Sequence, residues 1–255
     1  MSMRFVLSVL FLFLGLTTTG LSQETNATAV HWPHTPKEQL LQQVTENANA
    51  FLAWRYSAPG APDKQEALRK REVGILKLEQ LFKELEAGSA NWAKLKFRRL
   101  AFALDDKEVL DIADVPDAYL ETIPVEVAFF RKIQVDACLR MGDIERASQI
   151  AEKCVRWTSD AALLEQVKAG GFNRGAFLGH IQDIGVIVIV KAPELEGTDK
   201  QKLEMVKRVA SRNSSPQINA AKSMAEHTIR SQKRTSRQNQ PLSMQRFHPV
   251  GSGAY

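Results

Sequence analysis

Helix starts and helix stops follow one another at short intervals from Thr35 to Gly171, leaving little room for a sheet. Thr35-Pro36-Lys37-Glu38 combines a capping hydroxyl, a proline suited to the first helical position and the acid of a capping box. Leu40, Leu41, Val44, Ala48, Phe51 and Leu52 then keep helical spacing up to the break at Pro59-Gly60. Pro62-Asp63 opens a second helix with Leu68, Val73, Leu78, Leu81 and Leu85 toward its stop at Gly88, and Ser89 opens a third with Trp92, Leu95 and Phe102. Asp105-Asp106-Lys107-Glu108 starts a short helix that ends before Pro116, and Asp117 to Thr122 forms another. Pro124 to Arg140, Ile144 to Trp157 after the Gly142-Asp143 turn, and Ser159 to Ala169 before Gly170-Gly171 complete the series. Short turns make neighbouring helices antiparallel, so the spacing predicts an all-α antiparallel array over residues 35–192, with a repeat-like hairpin within it.

One segment resists the pattern. Residues 185–190 read Gly-Val-Ile-Val-Ile-Val, and a run of β-branched residues loses rotamer freedom in a helix and favours an extended chain. A strand needs a partner, and no second strand is evident. The segment is therefore either a short strand-like stretch, open to pairing with another chain, or a helix end packed on its neighbours.

The two ends differ from the body. Met1 to Arg4 carries one positive charge, Phe5 to Leu16 is uncharged and apolar, and Gly20 and Ser22 stand three and one residues before a small-residue cleavage point. Residues 1–22 thus read as an export signal with cleavage near Ser22-Gln23, giving a periplasmic or secreted product of 233 residues. The apolar run is shorter than the roughly 20 residues needed to cross a bilayer core, and no cysteine stands at the cleavage point, so no transmembrane or lipid anchoring is expected. Residues 23–34 read as a flexible lead-in.

From Asp199 onward there are eleven basic residues against three acidic ones, a net +8, whereas residues 23–198 carry a net −4. The basic pI is a property of this C-terminal part. Residues 193–255 read as a basic tail, with helical propensity at 200–212, a marginal helix at 216–233 and disorder from about 235, where Ser, Arg, Gln, Asn, Gly and Pro dominate. Lys207, Arg208, Arg212, Lys222, Arg230, Lys233, Arg234 and Arg237 are its candidate contacts to a polyanion, through a salt-sensitive, non-specific attraction.

Residues 126–157, ending Met141-Gly142-Asp143-Ile144-Glu145-Arg146-Ala147-Ser148-Gln149-Ile150-Ala151-Glu152-Lys153-Cys154-Val155, resemble a tetratricopeptide helix hairpin. Gly142-Asp143 stands at the family's turn, Ala147 at its small residue, and Ala151 and Cys154 on the same face. Arg131 replaces the usual large aromatic residue, Val135 the usual small one and Ser159 the closing proline. The resemblance covers one unit only. It implies a stacked helical fold that binds a protein or peptide in a groove, without chemistry.

Motifs for chemistry are sparse. His31 and His34 have a metal-site spacing but sit on a proline-containing segment without further ligands nearby, and His180, His227 and His248 are isolated. No Gly-x-Ser-x-Gly elbow occurs, and the glycines from Gly170 to Gly179 lack the strand and the lysine of a phosphate loop. Asp105, Asp106, Glu108, Asp111 and Asp114 lack the glycine-centred loop of a calcium site and read as capping acids on a solvated face. Asn26 and Asn213 fit the glycosylation acceptor pattern. Cys138 and Cys154 lie on either side of the hairpin turn at levels about 10 Å apart, too far for a bridge, so both read as buried thiols. No catalytic residue, metal or cofactor is expected. The expected function is an exported, non-enzymatic protein that binds another protein or peptide. The alternatives are an envelope-associated binder of polyanions and an exported helical enzyme acting on cell-wall polymers.

Overall fold

The computed structural model describes residues 35–195, 197–211 and 215–238, with side chains through Gln232. The predicted export signal, the lead-in, Asn26, His31, His34, Arg212, Asn213, His248 and the segment from 239 onward lie outside the described residues. The described chain forms α1 (Pro36–Arg55), α2 (Lys64–Phe82), α3 (Ala90–Leu100), α4 (Asp106–Ala113), a 3₁₀ turn at Asp117–Glu121, and α5 (Pro124–Met141). There follow α6 (Ile144–Trp157), α7 (Ala161–Ala169), α8 (Arg174–Lys191), a second 3₁₀ turn at Ala192–Glu194, α9 (Asp199–Ala210) and α10 (Pro216–Gln238). No strand occurs among the described residues.

Polar side chains start these helices by satisfying orphan N–H groups. The carboxylate of Asp63 accepts from the Glu66 N–H at 2.9 Å, Ser89 Oγ from Trp92 at 3.2 Å, Asp105 from Glu108 at 2.8 Å, and Asp143 from Arg146 at 3.1 Å. Asp160, not the expected Ser159, caps α7. Thr198 and Gln201 form a reciprocal capping box on α9. Between α5 and α6, Gly142 takes φ +79°. Its N–H donates to Leu139 O at 3.2 Å and that of Asp143 to Cys138 O at 2.9 Å, the paired bonds of a Schellman end.

The hairpin α5–α6 seeds a layered stack. The ring of Phe129 in α5 lies 5.0 Å from that of His180 in α8, tilted by 56°, and three residues on in each helix Lys132 pairs with Asp183 at 2.6 Å. The shared direction of these two offsets makes α8 run parallel to α5. Helix α9 packs on α6 and α8, and α10 packs on α8 and α9. At the crossing of α8 and α10, Gly185 makes room for Ile218; a Cβ there would lie 2.9 Å from Ile218 Cδ1.

Two expectations change here. Residues 185–190 are helical, the second half of α8. Val188 and Ile189 are fully buried there, as are Phe177, Ile181 and Ile184. A β-branched residue loses at most about 0.7 kcal/mol of helix propensity relative to alanine, whereas burying an aliphatic side chain yields about 1.5–3 kcal/mol. With no strand to pair with, burial decides, and the helix also satisfies its own backbone. By length and composition Arg174–Glu194 would suffice to cross a bilayer. Within the described fold 39% of that apolar window is buried, through Phe177, Ile181, Ile184, Val188 and Ile189.

The second change concerns the expected boundary at 193. Helices α9 and α10 extend the body rather than forming a tail with marginal structure. Met205, Val206, Val209, Ile218, Ala221, Ala225 and Ile229 are buried in the same cluster as Phe130 of α5 and Ile181 of α8.

Helices α1 and α2 pack mainly on each other, around Val44, Phe51, Leu78 and Leu81. They meet the rest through Phe82, whose ring lies edge-on 6.5 Å from Trp92 of α3, and through Phe102, whose ring lies 6.4 Å from that of Phe51 and fills the space beside Gly74. A Cβ on Gly74 would lie 2.3 Å from Phe102 Cζ. Arginines reinforce this junction. Arg71 Nε donates to Phe102 O at 2.7 Å, Arg55 donates to Ala103 O, and Arg98 donates to Thr45 Oγ1 at 2.9 Å.

Candidate binding surfaces

Helix α9 is flanked by two open grooves. The larger, about 420 Å³, lies between α9 and α10 and is lined by Asp199, Lys200, Leu203, Glu204, Lys207, Ile229 and Arg230. Leu203, partly buried, is the apolar side chain this groove leaves accessible, and Ile229 lies fully buried beneath it. Lys200, Glu204 and Lys207 follow one another by four and three residues along one side of α9, the spacing that brings helical side chains into a row. Neither Lys200 nor Lys207 makes an ion pair among the described residues, while Arg230 lies 3.6 Å from Glu226 within its own helix.

The smaller groove, about 220 Å³, lies between α6 and α9 and is lined by Glu152, Val155, Arg156, Arg208 and Ser211. Arg208 Nε approaches Glu152 Oε1 at 3.2 Å across it. Both arginines stand in the last turns of their helices, where a cation complements the exposed carbonyls. This groove is therefore braced by the Arg208–Glu152 pair.

Of the eight residues expected to meet a polyanion, Arg212 lies outside the described residues and the other seven are spread over α9 and α10. Lys207 and Arg230 share the larger groove, and Arg208 belongs to the smaller. Lys222 is half-buried on α10, and Lys233, Arg234 and Arg237 fall in the last turns of that helix with their side chains outside the described set. Lys200, Leu203 and Ile229 are not among the contacts expected from the sequence. The spacing of 200, 204 and 207 was visible there, but the groove exists only because α10 folds back beside α9.

Asp105, Asp106 and Glu108 of the acidic cluster are taken up by structure. Asp105 caps α4, Asp106 pairs with Arg140 at 2.6 Å, and Glu108 receives Arg71 at 2.6 Å, Arg99 at 2.8 Å and the Leu104 N–H at 2.8 Å. Burial would raise the Glu108 carboxyl, yet the Leu104 N–H and the two guanidiniums outweigh it and hold it below its ordinary range. Arg99 Nη1 is buried without a hydrogen-bond partner. No group of three or more histidine, cysteine, aspartate or glutamate residues placed to hold a metal occurs among the described residues.

Arg131, which departs from the tetratricopeptide pattern, is buried in α5 and ties down the 3₁₀ turn. It donates to Gln134 Oε1 at 2.6 Å, to Asp117 at 2.6 Å and to Val115 O. Burial would raise Asp117, but Lys153 and Arg131 pull it below its ordinary value. On the α5–α8 face, burial raises the carboxyl of Asp136 despite Arg140 and Lys132 nearby. Burial likewise lowers His180, which also faces Lys132. Cys138 and Cys154 are free and buried, and burial pushes the Cys154 thiol up to about 12.

No family model, curated protein or solved structure matches this chain.

Proposed function

We propose that the chain is an exported, non-enzymatic helical protein that binds another protein or peptide, with the 126–157 hairpin as the first layer of a tetratricopeptide-like stack. The observation that carries this reading is the layering itself. Helix α8 runs parallel to α5, with α6 and α9 packed beside them and α10 closing the series. Stacked helical units offer continuous grooves between layers, and such grooves suit extended or helical segments of other proteins. Site-specific photo-crosslinking in the exporting cell tests it. A photoreactive residue at Leu203 should yield defined protein adducts that one at exposed Leu76 does not, and equal labelling from both sites would overturn the reading. Export is tested separately: the N-terminus of the exported form should begin at Gln23.

A second reading, a polyanion binder, draws support from the placement of the C-terminal charge. Of the eleven basic residues after Asp199, nine belong to α9 and α10, giving these two helices a net +6. The polyanion contact is then a folded surface. Retention on a sulfated resin at low salt should survive removal of 239–255 and fall on charge reversal of Lys207 and Arg230. Loss of retention on removing 239–255 would sink it.

A further inference from the structure

Resting on the protein-binding reading, we infer that the groove between α9 and α10 is the docking site and that its occupant is an acidic, amphipathic segment of a partner protein, one that sets an apolar side chain on Leu203 and carboxylates against Lys200, Lys207 and Arg230. Three features of the groove select this occupant. Leu203 offers an apolar surface accessible from the open side, which a polyanion such as a sulfated sugar or a nucleic acid backbone does not use. Two ammoniums on the rim lack partners within the described fold, so a carboxylate reaching them displaces no existing ion pair. The surrounding charge points the same way. The α9–α10 pair has a net +6 against −4 for residues 23–198, so long-range attraction favours acidic segments over basic ones.

Asp199 and Glu204 also line the groove, and they shape specificity. Glu204 stands between Lys200 and Lys207 along the helix, so carboxylates of the bound segment must straddle it. An evenly charged acidic chain would place some carboxylates against Glu204 and lose affinity there, whereas a segment whose acids are spaced by apolar residues avoids the clash. The groove therefore distinguishes charge spacing as well as charge.

The test is selection from a displayed library of random twelve-residue peptides on the full mature chain, repeated on the double variant Lys207→Glu, Arg230→Glu and on Leu203→Gln. The expected result is enrichment of peptides combining Asp or Glu with Leu, Ile, Phe or Met at spacings of three or four. The double variant should weaken them about tenfold, equivalent to about 1.4 kcal/mol, and Leu203→Gln should also weaken them. Circular dichroism and the melting temperature of each variant show that the fold is intact. Enriched peptides that are uniformly acidic and indifferent to Leu203→Gln would overturn the inference in favour of a polyanion surface. Peptides that bind both variants as well as the parent chain would overturn the groove assignment while leaving protein binding in place. Failure to enrich any peptide on the parent chain would count against protein binding itself.

Discussion

Both ends of the described fold are charge-rich helix pairs, yet they are joined to the middle by different means. At the N-terminal side, α1 and α2 bury Val44, Phe51, Leu78 and Leu81 against each other and reach the remainder through Phe102 and guanidinium bonds from Arg55, Arg71 and Arg98. At the C-terminal side, α9 and α10 insert Val206, Val209, Ile218 and Ile229 directly into the main core. The first arrangement depends on specific polar geometry and on the aromatic contacts Phe51–Phe102 and Phe82–Trp92; the second depends on apolar area. The lesson is that net charge does not tell whether a helix is integral. The more basic pair is the more deeply anchored one.

Truncation is the most direct way to break this comparison. A chain ending at residue 198 loses all the α9 and α10 core side chains and should show no cooperative thermal transition. A chain ending at 238 should melt within about 2 °C of the full chain, as a change of less than about 0.5 kcal/mol implies for a protein of this size. If the first truncation melts normally, α9 and α10 are not integral. Next in size, Ile218→Ala should cost about 2–5 kcal/mol in urea unfolding, because the side chain is fully buried where α10 crosses α8.

Gly74→Leu sharpens the other half of the comparison. It drives a side chain into the Phe102 ring and should cost about 1–3 kcal/mol. Hydrogen exchange should then rise in α1 and α2 while α8 stays protected; equal loss of protection in α8 would show that the two ends share one cooperative unit. Glu108→Gln weakens the arginine network at the same junction and should cost about 1–3 kcal/mol at neutral pH. Since the folded carboxyl is held below its unfolded value, its contribution is present above the unfolded pKa and is lost as pH falls through the folded one. The variant and the parent should therefore converge in strong acid.

The smallest effect is expected at Asp136, whose sign is opposite. Its folded carboxyl is raised, so ionisation works against the fold at neutral pH, and Asp136→Asn should raise the melting temperature at pH 7. The gain should vanish at pH 3, where the carboxyl is protonated in both states. A gain that persists there would assign the effect to packing.

Much of this fold was legible in local sequence, because capping is a short-range interaction. Asp63, Ser89, Asp105 and Asp143 each announce a helix start that the structure places where the spacing predicts it. The end of α2 is less well read: the helix stops at Phe82, and Gly88 instead serves a later turn against the Tyr119 ring. What was not legible depends on partners distant in sequence. The β-branched run of α8 is helical because Ile218 and Val155 approach it at Gly185, information that no window around 185–190 contains. The same holds for the groove. Lys207 and Arg230 stood out for their charge, but Leu203 and Ile229 acquire a role only from the way α10 lies on α9. Arg131, a departure from the family pattern in sequence, becomes intelligible once Asp117 and Val115 O are seen beside it.

The buried thiols of the α5–α6 hairpin have a consequence for how this molecule can be watched. Only the thiolate reacts with alkylating or disulfide reagents, and at neutral pH Cys154, pushed up to about 12, holds almost none of it while folded. Reaction at Cys154 therefore has to wait for the hairpin to open, and under reagent excess the rate of its labelling becomes the rate of opening. The chain carries a built-in timer at its centre, one that needs no engineered probe and that would register a ligand at the α9–α10 groove as a slowing of the clock.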